Sequence, residues 1–225
     1  MYTSTTDRVR DEVGEREPAA PANGAGSRER RRDNPRRRLL VQTTLRLIAD
    51  GGVDAVSHRS VAEAAGVPLG STTYWFPSRQ EMVRQALEEF AREETDALRE
   101  RLAGVLGRRL SRPRLVDEFT AILAPQLAEE GRWRTRAQYA LLQEASRRPE
   151  LEPVCREWSR AWEEALAEVF ASLRAPRPEL EARMFLAMLD GMLLGQLAAP
   201  DPDPETSVIR PALKAWLDRV PERGK

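Results

Sequence analysis

Apolar residues return every three or four positions along almost the whole chain between Pro35 and Leu217, and nowhere do they alternate at every second position. A helix turns its side chains round once in 3.6 residues, whereas a strand alternates them, so this spacing excludes a sheet fold. The first stripe is Leu40, Val41, Thr44, Leu45 and Ile48, stopped by Gly51-Gly52. Further stripes run through Val83, Leu87, Phe90 and Leu98, through Leu115–Leu127 (with a bend expected at Pro125), and through Trp133–Leu141. Three more follow at Val154–Leu173, Glu179–Leu197 and Val208–Leu217. Apolar residues make up 41% of the chain, enough for a packed core. The expected fold is all-α: a disordered basic tail over residues 1–34, a small head over 35–80 and a helical body over 81–220.

Charge narrows the function. Net charge is zero, yet residues 28–80 carry ten arginines against five acids, while residues 81–225 are net acidic by about three. A basic head on an acidic body suits a protein that meets a polyanion at one end only. The tail ends in Arg28, Arg30, Arg31 and Arg32, followed by Arg36, Arg37 and Arg38. That run reads either as a solvated tail or as an arm lying along phosphates.

Enzymatic chemistry finds few candidates. Cys155 is the only cysteine and His58 the only histidine, so a disulfide framework, a multi-cysteine or histidine metal centre and a histidine-based triad are excluded by counting. No glycine-rich phosphate loop or nucleophile–base pair is visible, and no cofactor is implied. A helical adaptor that binds protein is the other alternative. The longest apolar run, Met184–Leu197, is too short to span a bilayer and contains Asp190. With no signal-like stretch either, the expected location is the cytoplasm, without membrane contact.

The most informative segment runs from Gly52 to Arg79. It reads as two short helices, about Arg59–Ala64 and onward to Phe76, around a turn at Ala65-Gly66-Val67. Gly66 supplies a left-handed turn residue, Ala62 and Ala65 permit a close crossing, and Val61, Val67, Thr72 and Phe76 face inward. Gly70, Ser71, Thr73 and Tyr74 are then left on the outer face. A glycine and short polar side chains let a helix sink into a major groove. Ser78-Arg79-Gln80-Glu81 reads as a capping box opening the next helix. His58 reads as a cap-adjacent side chain or, alternatively, a phosphate contact.

The run from Leu40 to Met82, with GVDAVSHRSVAEAAGVP followed by GSTTYWFPSR, resembles the DNA-binding domain of TetR-family regulators. The resemblance implies a homodimer on a palindromic double-stranded operator, acting as a repressor and released by a small hydrophobic ligand. It places Ser57 and Arg59 at the start of the second helix, against phosphate and base edges. Pro68, Leu69, Gly70, Ser71, Thr73, Tyr74 and Trp75 fall on the recognition helix, and Arg79 stands where the family has a phosphate-binding lysine. Thr73 and Trp75 depart from the family's usual tyrosine and histidine.

In the body, Met184–Leu197 is apolar nearly all round and must be covered on two sides. Ala187, Gly191 and Gly195 form a ridge of small residues along it. Paired with Val154–Leu173, where Val154, Trp158, Ala161 and Ala165 are the expected contacts, it resembles the family's four-helix dimer interface. The resemblance also implies a ligand pocket, with Phe119, Trp133, Tyr139, Gln143, Trp158 and Trp162 as candidate lining; aromatic residues at helical spacing also suit ordinary core.

Overall fold

The computed structural model describes residues 34–106, 108 and 110–219, and every regular element among them is helical. The head comprises α1 (Pro35–Gly51), one 3-10 turn (Val53–Ala55), α2 (His58–Ala64) and α3 (Leu69–Trp75). The body comprises α4 (Arg79–Leu106), α5 (Arg112–Leu127), α6 (Glu129–Ala145), α7 (Glu152–Ser172), α8 (Pro178–Ala198) and α9 (Arg210–Leu217). A proline occupies one of the first two positions of α1, α5, α7, α8 and α9. There its fixed φ suits the helix and its missing N–H costs no intrahelical bond. The expected tail lies outside the described residues except for Asn34, whose side chain accepts from the Arg36 N–H at 2.9 Å and caps α1.

Gly52 ends α1 at φ 70° and ψ −179°, a backbone region that is nearly exclusive to glycine. Its N–H still bonds the Ile48 carbonyl at 2.9 Å, so the chain leaves the helix without orphaning that acceptor.

Two apolar clusters hold the molecule. The first gathers Leu40, Leu45, Ile48, Val61 and Phe76 of the head with Met82, Leu87 and Phe90 of α4. It also takes in Ala137 and Leu141 of α6, Leu151, and Trp158 of α7. The head's core therefore continues past residue 80 into the body. The second centres on Phe185, whose ring meets Phe119 at 5.0 Å, Phe170 at 5.5 Å and Trp216 at 6.0 Å. Phe119 is thus a core residue, 2% exposed, rather than the pocket residue expected.

Polar contacts stitch the seam between α1 and the body. Glu93 of α4 accepts from Gln42 of α1 at 2.9 Å with one oxygen and from Arg134 of α6 at 2.9 Å with the other. Arg136 pairs with Asp50 at 3.1 Å. Trp133 lies under the Arg46 guanidinium at 3.7 Å, which places it at this seam and corrects its assignment to the pocket. Arg37 is also drawn inward: it is 7% exposed, bonds Gln85 at 2.9 Å and faces Glu89 at 3.6 Å. It cannot belong to a phosphate-following arm.

Candidate nucleic-acid interface and body cavity

The head contains a helix-turn-helix built by local chemistry. Ser57 and Ser60 form a reciprocal cap: the Ser60 N–H donates to Ser57 Oγ at 2.9 Å, and the Ser57 N–H to Ser60 Oγ at 2.8 Å. The sequence places that box at Ser78 instead. There the Glu81 N–H does donate to Ser78 Oγ at 3.1 Å, but the Glu81 carboxylate turns to Arg84 at 2.6 Å and Gln85 at 2.7 Å. The hydrogen bond from Arg84 holds the Glu81 carboxyl below its ordinary pKa.

Helix α2 closes on Gly66 at φ 63°. The Val67 N–H reaches back to the Ala62 carbonyl at 3.0 Å and the Gly66 N–H to Glu63 at 3.1 Å, the Schellman arrangement that satisfies the last carbonyls. Thr72 then pins the two helices: it is fully buried, and its hydroxyl donates to Leu69 at 2.8 Å and to the His58 carbonyl at 3.3 Å. His58 is half-buried at the start of α2.

This crossing turns one face of α3 outward. Pro68, Leu69, Gly70, Thr73 and Tyr74 are exposed, as are Ser57 and Arg59 at the start of α2; Ser71 is half-buried. Tyr74 is the most prominent, 68% exposed with its ring edge-on to Trp75 at 5.0 Å. Trp75 itself is half-buried against the head's core. Gly70 has an open surround: a Cβ added there would meet nothing within 4 Å.

Arg79 has a different environment from the one the sequence suggests. Its Nε donates to the Val56 carbonyl at 2.9 Å, and its Nη2 to Val53 at 2.8 Å and Asp54 Oδ1 at 3.0 Å. These bonds clamp the start of α4 to the 3-10 turn ahead of α2. Fixing the head's inner turn is therefore its observed work, and only Nη1 is left for an outside phosphate.

The body holds a cavity of about 260 Å³ between α5, α6, α7 and α8. Trp158 and Trp162 line it with Leu123, Leu186 and Leu193, and its polar groups include Gln126, Gln138, Glu163, Arg183 and Asp190. Of the six expected pocket residues, these two tryptophans alone touch it. Tyr139 is a neighbour, donating its hydroxyl to Asp190 Oδ1 at 3.0 Å, while Gln143 is exposed on α6 away from the cavity. Burial and the adjacent Asp190 push the Tyr139 hydroxyl well above its ordinary pKa, so it stays a donor. Burial also raises the Asp190 carboxyl, against the opposing pull of that hydrogen bond. Asp190, the one charge in the apolar run Met184–Leu197, was the sequence signal for this wall, with Arg183 seven residues ahead of it. A second cavity of about 360 Å³, between α4, α5 and α6, shares Gln126 and Gln138 with the first.

Helix α8 presents its remaining face to solvent. Leu180, Met184 and Leu194 are 37%, 40% and 53% exposed, and Ala187, Gly191 and Gly195 lie among them on the same face. An added Cβ at Gly191 or Gly195 would meet nothing within 4 Å. On α7, Trp158 and Ala165 are 7% and 9% exposed and face their own chain, which corrects their place among the contacts with a second copy. Val154 and Ala161 are half-buried.

A capped helix-turn-helix with an open outer face, set on a helical body, defines a DNA-binding regulator. The sequence profile of the tetR family of bacterial regulatory proteins matches residues 40–86, and that of the tetracyclin repressor-like C-terminal domain matches residues 110–219. A TetR-family member from Streptomyces coelicolor A3 is 30% identical, with 84% of this chain and 99% of that one covered, at a TM-score of 0.63. The multidrug binding protein EbrR, solved with imidazole, is 30% identical over 87% of this chain and 95% of its own, with a TM-score of 0.62. The transcriptional repressor KstR of Mycolicibacterium smegmatis is 39% identical over 70 residues, 31% of this chain. The chain spans 27% to 34% of the length of the curated relatives it matches. The chain belongs to the TetR family, whose members are regulators rather than enzymes. No described helix is long and apolar enough to cross a membrane.

Proposed function

We propose that the chain is a cytoplasmic homodimeric repressor that binds a palindromic operator with α3 of each copy and releases it when a small organic ligand fills the body cavity. Gly70 carries the DNA half of this reading. Glycine in a helix interior gives up about 1 kcal/mol relative to alanine, and a part of that in the first turn, where Gly70 stands; nothing around Gly70 would obstruct a side chain. The fold gains nothing from it. A groove wall that must approach the backbone does, and Ser71, Thr73 and Tyr74 around it supply short donors and one long reach. Ser57 and Arg59 lie beside this face for phosphates and base edges, and Arg28, Arg30, Arg31 and Arg32 extend the charge from the tail.

The dimer reading rests on α8. An exposed stripe of leucine, methionine and small residues is the surface a second copy would cover. The ligand reading rests on the cavity and on EbrR, solved with imidazole, ethidium and malachite green.

Selecting bound duplexes from a random pool tests the proposal. The expected result is a palindrome whose half-sites lie about one helical turn, roughly 34 Å, apart. A non-palindromic site occupied by a single copy overturns it.

A further inference from the structure

Three ionisable side chains line the first cavity: Glu163, Arg183 and Asp190. Arg183 Nε is committed to Glu163 Oε2 at 2.9 Å. Asp190 has no ion-pair partner among the described residues; its carboxylate accepts only the neutral Tyr139 hydroxyl, at 3.0 Å. The cavity therefore carries one uncompensated negative charge, on a wall whose other residues are the Glu163–Arg183 pair, aromatic and aliphatic side chains, and the neutral Gln126, Gln138 and Ser159.

We infer that this cavity selects flat aromatic cations over neutral or anionic molecules of the same size, with Asp190 as the charge-reading residue and the indoles of Trp158 and Trp162 as the stacking walls. The inference rests on the body cavity being the ligand site. Asp190 lies at the open side of the cavity, exposed and, among the described residues, without a cation beside it, so a ligand's positive charge would give its carboxylate the ion-pair partner it lacks. An anion would be repelled, and a wholly apolar ligand would further desolvate the carboxylate without pairing it. The two indoles stand edge-on, 84° apart with centroids at 6.4 Å, and aromatic faces attract a delocalised cation.

The two tryptophans are held in place by packing. Trp158 is 7% exposed, and the indole N–H groups of both tryptophans are buried without an acceptor. Packing holds the rings instead, with Trp158 edge-on to Phe90 at 5.6 Å and Trp162 edge-on to Trp158, so the indoles give the cavity a preformed aromatic wall. A molecule longer than the first chamber continues between the amides of Gln126 and Gln138, which line both cavities.

The test is titration of the nucleic-acid-free full chain with ethidium, neutral phenanthridine and anilinonaphthalene sulfonate, followed by tryptophan fluorescence and calorimetry. Ethidium should bind at least about tenfold tighter than phenanthridine, and the sulfonate weakest. Asp190→Asn should bring ethidium to within about twofold of phenanthridine. Unchanged phenanthridine binding would show that this variant keeps its cavity. If phenanthridine or the sulfonate binds as well as ethidium, the charge selection is wrong while the ligand site stands. If the ethidium preference survives Asp190→Asn, the charge is not read there and the inference falls. If none of the three binds at about 1 mM, both the inference and the ligand-site reading fail.

Discussion

Around α3 the exposed residues include Pro68, Gly70, Thr73 and Tyr74; along α8 they include Leu180, Met184, Gly191 and Leu194. Both surfaces contain a glycine beside open space, and neither glycine is needed by its own fold. Their surroundings differ. Short polar side chains beside a basic flank suit a hydrated, charged surface, whereas leucine and methionine suit a dry one. On the proposed reading, each glycine leaves room for a partner's backbone or groove wall, and the side chains around it select the kind of partner.

The largest effect is expected from Gly191→Arg. The side chain meets no obstacle within the chain, so folding should persist, but a charge would sit in the apolar stripe. Sedimentation should show a monomer at micromolar concentration, with operator affinity down by about 100-fold or more. A variant that still sediments as a dimer would remove α8 from the interface.

Next in size is Arg79→Ala. Loss of its bonds to Val53, Val56 and Asp54 should cost the head about 1–3 kcal/mol in denaturant unfolding, since two carbonyls lose a charged donor. DNA of every sequence should be bound more weakly, through a loosened head. Unchanged stability together with weakened binding would instead restore the phosphate contact as its main role.

Gly70→Ala should separate the two properties. Thermal stability should rise by a few tenths to about 1 kcal/mol, while operator affinity falls by about tenfold. If both improve, α3 does not press its backbone against DNA.

The smallest effect belongs to the body. Arg174 ends α7 with φ 61°, while the Ala175 N–H bonds Phe170 at 3.0 Å and the Arg174 N–H bonds Ala171 at 2.9 Å. This is the same closing turn as at Gly66, held by a residue that pays for its Cβ. Arg174→Gly should stabilise the protein by about 0.5–1 kcal/mol, read from the denaturant midpoint, and leave DNA binding alone. A destabilised variant would mean that the arginine side chain contributes more than its backbone costs.

The head was the more legible half because its structure is set by neighbours in sequence. Gly52, Gly66, Thr72 and Phe76 could be placed from spacing alone, and the structure puts each where the pattern requires. Body residues depend on which helix packs beside which, and periodicity gives only a buried face. Phe119 and Trp133 sit on such faces, yet one packs into the core and the other at the seam. Asp190 was visible as the one charge in an apolar run, but its link to Tyr139, 51 residues away, was not. Arg37 shows the same limit in the opposite direction: its neighbours Arg36 and Arg38 are exposed, and one step of about 100° round α1 turns it under the head.

The seam at Glu93 has a thermodynamic consequence. One carboxylate serves both Gln42 of the head and Arg134, which also lines the second cavity. A molecule that displaces Arg134 withdraws a partner from the residue that steadies α1. If the proposed operator binding needs α1 held by Glu93, the coupling is reciprocal: whatever factor a ligand takes from operator affinity, the operator takes from ligand affinity. On that reading, a copy seated on DNA accepts such a ligand more reluctantly than one free in solution, by the amount the Glu93 seam contributes.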